Sequence, residues 1–224
     1  YEMTSSLVGS EMCIRDSLEV GKVELGFPLP ALATEILTTT GHHLRERSPQ
    51  RQPLTEGRFE KVSMAGRPGF DASLLLSAGE PGFGFEHGEV YSVHVGWSGN
   101  SVLSAERQPY TTGLIGGGEV LLGGEATLAR GETYTTPWLY GSYGDGLNEV
   151  AARFHDYVRS CHPDLAVKPR PVILNTWEAV YFDHDYDTLK ALADKAGDSG
   201  VERFVVDDLS LIHISEPTRL DVIS

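Results

Sequence analysis

RPVILNTWEAVYFDHDYDTLKALADKAGDSGVERFVVDD, residues 170–208, is the stretch on which the reading of the fold turns. Pro171 introduces a short apolar run at 172–174, and proline suits the first residue of a strand because it has no N–H to give the ladder. Leu189, Leu192, Ala193 and Ala196 then recur at helical spacing. Asp187 is placed to cap the start of that helix, and Gly197 and Gly200 can end it. Residues 203–206 return to β-branched and aromatic types and are bounded by Asp207 and Asp208. Strand, polar loop, helix and strand make a βαβ unit, whose strands are parallel and whose crossover is right-handed. Chemistry in such units collects beyond the carboxyl ends of the strands. Trp177 and the Asp207–Asp208 pair both fall there.

Upstream, residues 18–145 alternate short apolar runs (18–25, 72–76, 90–95, 119–122 and 125–128) with Gly, Pro and Ser. At 89–95, Glu89, Tyr91, Val93 and Val95 lie on one face of a strand, with Val90, Ser92 and His94 on the other. The spacing of turn signals predicts a β-sandwich. No repeat of 20–50 residues is visible. Residues 147–161 are helical, with Leu147, Val150, Ala151, Phe154, Val158 and Cys161 on one stripe, and His162-Pro163 stops the helix.

The 224-residue chain carries a formal net charge of −14 with a pI near 4.9. That balance disfavours nucleic acid and anionic membranes as partners. No apolar run is long enough to span a bilayer. Cys13 and Cys161 are the only cysteines, too few for a disulfide framework.

The candidate site residues are Asp207, Asp208 and Trp177. Successive strand residues point to opposite faces, but at a strand end the chain turns and both carboxylates can reach one pocket. Carboxylates accept hydrogen bonds from hydroxyls; the plainer reading is a turn after the strand, which Asp also favours. An indole at a strand end offers an apolar face to a ligand, or simply packs. Glu178 alternates to the opposite side and is read as structural. Asp183, His184, Asp185 and Asp187 fit no fixed metal-ligand spacing and read as a loop capping a helix. His42, His43, Arg45, Arg47 and Arg51 form a basic patch that pairs with carboxylates or meets another subunit. Gly116–Gly118 is not a phosphate loop, because no helix with Lys follows. Trp97 and Trp138 read as sandwich core or interdomain packing, and no Gly-x-Ser-x-Gly elbow occurs.

RPVILNTWEAVYFDHD followed by GVERFVVDD resembles the α-galactosidases of glycoside hydrolase family 36. The resemblance extends upstream through TTTGHHLRERSPQRQPL, GRPGFDASLLLSAG, GEVYSVHVGWSGN and GETYTTPWLYGSYGDGLNEVAARFHDYVR, nearly all of residues 18–208. It implies a multidomain β plus α/β protein: the later part of a large β-sandwich (supersandwich) domain, then the first βαβ unit of a (β/α)8 barrel. It implies an exo-acting retaining hydrolase of terminal α-galactosyl residues, as in raffinose and melibiose. By resemblance, Asp207 and Asp208 hold galactose hydroxyls and Trp177 lines the sugar pocket. The nucleophile and acid/base lie further along the barrel, so no catalytic residue is expected here. No cofactor or metal is implied. A homotetramer is. The cytoplasm is expected on a separate ground: with Cys13 set aside in an adapter-like stretch, a lone Cys161 is compatible with a reducing compartment. The family pattern continues Gly-Trp after the acidic pair, where this chain has Leu209-Ser210. Alternative functions are an α-N-acetylgalactosaminidase or galactosyltransferase on the same scaffold, or a carbohydrate-binding sandwich without catalysis.

Two further stretches look unlike the rest. LVGSEMCIRDS at 7–17 and LSLIHISEPTR at 209–219 read as translations of opposite strands of one sequencing adapter. The expected organisation is therefore an artefactual leader at 1–17, partial sandwich at 18–145, linker helix at 146–169, barrel start at 170–208 and artefactual tail at 209–224 (adapter at 209–220).

Overall fold

The computed structural model describes residues 2–3, 6–8, 17–70 and 74–207. Asp208 and most of the two adapter-like stretches lie outside them. The chain divides into two compact units, one ending at Ser160 and the other beginning at Cys161.

The first unit is built from strands β1 Glu2–Met3, β2 Ser6–Val8, β3 Ser17–Glu19, β4 Lys22–Leu29, β5 Glu35–His42, β6 Arg45–Pro53, β7 Gly57–Ser63 and β8 Leu75–Gly79. It continues with β9 Glu89–Gly96, β10 Ser101–Arg107, β11 Gly113–Val120, β12 Thr127–Ala129, β13 Thr133–Thr135 and β14 Trp138–Asp145. Among the described residues these form a six-stranded sheet, β1-β14-β9-β8-β5-β6, and a four-stranded sheet, β4-β11-β10-β7. Every pairing in both is antiparallel. Two small ribbons, β12-β3 and β13-β2, complete the unit.

The core lies between the two larger sheets. Ile36, Leu76, Val93, Val95 and Leu139 from one meet Leu29, Leu103, Ala105 and Ile115 from the other. The alternation read along β9 holds: Tyr91, Val93 and Val95 face this core, while Val90 packs on the opposite side with Phe83 and Val150. On that outer face Ser77 and Ser92, cross-strand partners, hydrogen-bond each other at 2.6 Å, so neither hydroxyl is buried unpaired.

The three glycines of β11 are a packing device. A Cβ at Gly116 or Gly118 would run into the carbonyl oxygens of Leu25 and Val23 on β4, and one at Gly117 would sit 2.5 Å from Val102 O and 2.8 Å from Val95 Cγ2. Their absent side chains let β4, β10 and the facing sheet close in on β11.

Helix α1, Leu147–Cys161, lies on the outer face of the six-stranded sheet through Val150, with Leu147 and Phe154 beside it. The apolar stripe is covered only over its first half: Val158 is 49% exposed and Cys161 is exposed. A groove of about 650 Å³ runs between helix and sheet, lined by Leu75, His94, Tyr140, Phe154 and Val158 among others.

The basic patch sits on the β5–β6 hairpin, and β6 is an edge strand exposed along all nine residues. Arg51 reaches Glu35 at 2.5 Å and lies 4.4 Å over the Phe83 ring, so that cation is paired. Charges and Pro49 blunt the edge against pairing with another chain.

In the second unit a 3-10 turn, Pro163–Ala166, precedes strand β15 Ile173–Asn175, helices α2 Trp177–Val180 and α3 Tyr186–Asp198, and strand β16 Arg203–Val205. β15 and β16 pair in parallel, Ile173 with Arg203, Leu174 with Phe204 and Asn175 with Val205. Two local expectations are corrected. The segment after β15 is not simply a polar loop, for Trp177–Val180 turns as α2. The cap of α3 is Asp185 rather than Asp187: its carboxylate accepts the Thr188 N–H at 2.9 Å, and Asp187 falls inside the first turn. That hydrogen bond, with those from the Thr188 hydroxyl and the Asp187 N–H, holds Asp185 below its ordinary range. Gly200, at φ +83°, follows the C-cap Ser199 and ends α3 as expected.

Candidate functional site

The site is made where β15 and β16 end. The Thr176 N–H donates to Val205 O at 3.0 Å, which extends the parallel ladder by one rung. Thr176 is completely buried, and its Oγ1 accepts from the Asp207 N–H at 3.4 Å. These bonds bring Asn175, Thr176 and Trp177 alongside Asp207.

Asn175 links Trp177 to Asp207. The Trp177 N–H, which can only donate, points at Asn175 Oδ1 at 2.8 Å. That settles the amide's orientation and leaves Nδ2 to donate to Asp207 Oδ2, also at 2.8 Å. The indole of Trp177 is met edge-on by Tyr181 at 5.4 Å and Phe182 at 5.1 Å, with interplanar angles of 78° and 89°. Tyr181 takes φ 49°, and its N–H donates to Trp177 O at 2.8 Å, closing α2. The Tyr181 hydroxyl donates to Glu178 Oε2 at 3.1 Å, and this bond with the charge behind it raises the phenol above its ordinary value. Glu178 is engaged there and does not enter the Asn175–Asp207 network.

Trp177 and Asp207 therefore share one network, while Asp208 lies outside the described residues. Asn175, Thr176, Tyr181 and Phe182 were not foreseen. Asn175 did carry a signal, since Asn readily hydrogen-bonds the backbone two residues on. Its bond to Asp207 had none. Among the described residues no group of three or more His, Cys, Asp or Glu is placed to hold a metal ion. The arrangement presents a carboxylate of set orientation beside a partly exposed aromatic cluster, a combination suited to a ligand with hydroxyls on one side and C–H on another.

Residues 14–129 match the profile of the Glycosyl hydrolase family 36 N-terminal domain. The chain belongs to glycosyl hydrolase family 36. Residues 133–214 match the Melibiase profile, so each match takes in a few residues of an adapter-like stretch. An alpha-galactosidase of Escherichia coli is 35% identical over 194 residues, 85% of this chain and 27% of the relative. Among solved structures, the alpha-galactosidase from Lactobacillus brevis superposes with a TM-score of 0.73 at 28% identity, over 83% of this chain and 25% of that one. A variant of the family 36 alpha-galactosidase AgaA from Geobacillus stearothermophilus, in complex with raffinose, gives 0.71 at 26% identity, over 83% and 26%. The chain spans about a quarter of the length of these relatives. Within the family, the sandwich strands up to residue 129 fall in the N-terminal domain match, and the parallel βαβ unit falls in the Melibiase match, at the start of the catalytic domain.

Proposed function

We propose that the protein containing this chain is an exo-acting, retaining α-galactosidase that removes terminal α-galactosyl residues from oligosaccharides of the raffinose type. The observation that carries the reading is the Asp207 carboxylate, held by Asn175 at the end of β16, beside Trp177 at the end of the neighbouring parallel strand. Family membership and the raffinose complex of the Geobacillus relative support the substrate class. In this scheme Asp207 and Asp208 accept hydrogen bonds from galactose hydroxyls, and Trp177 packs against the C–H face of the sugar. Bond cleavage falls to two further carboxylates beyond residue 208, about 5–5.5 Å apart as retention requires. One attacks the anomeric carbon; the other protonates the leaving oxygen and then activates water. Two carboxylates suffice, so neither metal nor organic cofactor is needed. We also propose a homotetramer. The exposed, free Cys161 supports a reducing compartment such as the cytoplasm. Among the described residues no helix is long and apolar enough to cross a membrane.

The full-length protein should hydrolyse raffinose and an aryl α-galactoside, with α-galactose as the first product seen by NMR. Release of β-galactose would overturn retention, and absence of hydrolysis would overturn the assignment.

A further inference from the structure

Thr176 occupies the N-cap position of α2, yet its side chain makes no capping bond. Its hydroxyl oxygen accepts instead from the Asp207 N–H. The orphan N–H at the first position of α2, that of Trp177, is satisfied from one residue further back, by Asn175 Oδ1. The same amide's other end donates to Asp207 Oδ2. A helix cap alone requires only an acceptor at residue 175. This side chain is used as acceptor and donor at once, and the donor is spent on a carboxylate 32 residues away.

We infer that Asn175 is a positioning residue for sugar recognition, setting the Asp207 carboxylate and the Trp177 indole relative to each other through one rigid amide. The inference rests on the reading of Asp207 and Trp177 as galactose-holding groups. An Asp carboxylate at a strand end can turn about two side-chain torsions. Anchoring one oxygen fixes the carboxylate plane, and so the directions in which its remaining lone pairs meet hydroxyls. Anchoring the Trp177 N–H fixes the start of α2, from which the indole projects. Asn is suited to both tasks. Ala makes neither bond, and Gln carries the amide one methylene too far. Asp can accept from Trp177 but cannot donate to Asp207, and it sets a second negative charge against it.

That last difference separates positioning from helix capping. In the full-length enzyme, Asn175→Asp retains the cap and should keep the thermal midpoint within a few degrees of wild type. Its kcat/KM for an aryl α-galactoside should nevertheless fall by about ten- to a hundredfold, the scale of a lost hydrogen bond to a charged group. Asn175→Ala should lose activity as well, with a lower midpoint. Combining Asn175→Asp with Asp207→Asn restores a donor–acceptor pair with its members exchanged. The double variant should therefore be no less active than Asp207→Asn alone, a strongly non-additive result. A residue that merely caps α2 predicts the opposite: a silent Asn175→Asp and simple additivity. An active wild type with a silent Asn175→Asp overturns the inference and leaves the proposed function standing. An inactive wild type overturns both.

Discussion

At the scale of single residues, Asp207 and Trp177 differ in what they offer a sugar, so their variants should differ too. Asp207→Asn keeps the shape but removes the charge behind its hydrogen bonds, which contribute about 1.5–3 kcal/mol each. Assayed in the full-length enzyme, kcat/KM should drop about ten- to a hundredfold, shared between binding and the transition state. Trp177→Ala should chiefly raise KM. A complete loss of turnover in Asp207→Asn would make it part of the bond-breaking pair instead. His94 carries a different prediction. On the outer face of β9 its ring stacks with Tyr140 at 6.3 Å and meets Phe154 edge-on at 6.5 Å. Its Nδ1 lies 3.0 Å from Leu74 O and, facing a carbonyl, must carry the proton. Burial lowers its pKa below the ordinary 6.5, against the opposing pull of Leu74 O. The unfolded chain therefore takes up a proton first as pH falls. The stability owed to neutral His94 is whole above pH 6.5 and is lost progressively below it. Thermal midpoints should decline between pH 7 and 5.5, and His94→Gln should flatten that decline. An unchanged slope in the variant would assign it to other groups.

At the scale of elements, the sharpest constraint is on β11. It is the only strand of its sheet, apart from β10, with a partner on both sides among the described residues, and Gly117 faces Val95 of the opposite sheet. Gly117→Ala should destabilise the first unit by about 1–3 kcal/mol, the usual cost of overpacking a close-packed core. Denaturant unfolding would show it as a lower midpoint, and a midpoint at or above wild type would mean the sheets part without penalty. The helices teach a complementary lesson. The stripe of α3 was legible, and Leu189, Leu192 and Ala193 are half-buried with Ala196 buried. Its cap is not legible in the same way, because DHDYD offers three aspartates within five residues. Composition cannot choose among them. The choice falls to the residue with extended backbone, Asp185 at ψ 130°, whose carboxylate reaches the free N–H of Thr188.

At the scale of the molecule, the chain brings together a sandwich unit and the first strands of a catalytic domain, but on the proposed scheme neither cleaving carboxylate. The purified 224-residue chain should therefore turn over no aryl α-galactoside. Measurable hydrolysis by it would move the catalytic pair into the residues already in hand. Much of the architecture could be read without coordinates. Period-two alternation gave the faces of β9, period-3.6 stripes gave α1 and α3, and the order strand–helix–strand implied the parallel pairing of β15 with β16. These are properties of neighbours in sequence, set by backbone geometry that repeats every two or every 3.6 residues. The glycine run of β11, the half-covered stripe of α1 and the bond from Asn175 to Asp207 could not be read that way. Each depends on what a strand from elsewhere in the chain brings within a few ångströms. For Asn175 and Asp207 that proximity is decided by the β15–β16 register, which places Asn175 opposite Val205 and so two residues from Asp207. A shift of one residue would turn the same side chains to other faces. Sequence by itself determined the periodic elements and the family; tertiary pairing decided which side chains act together.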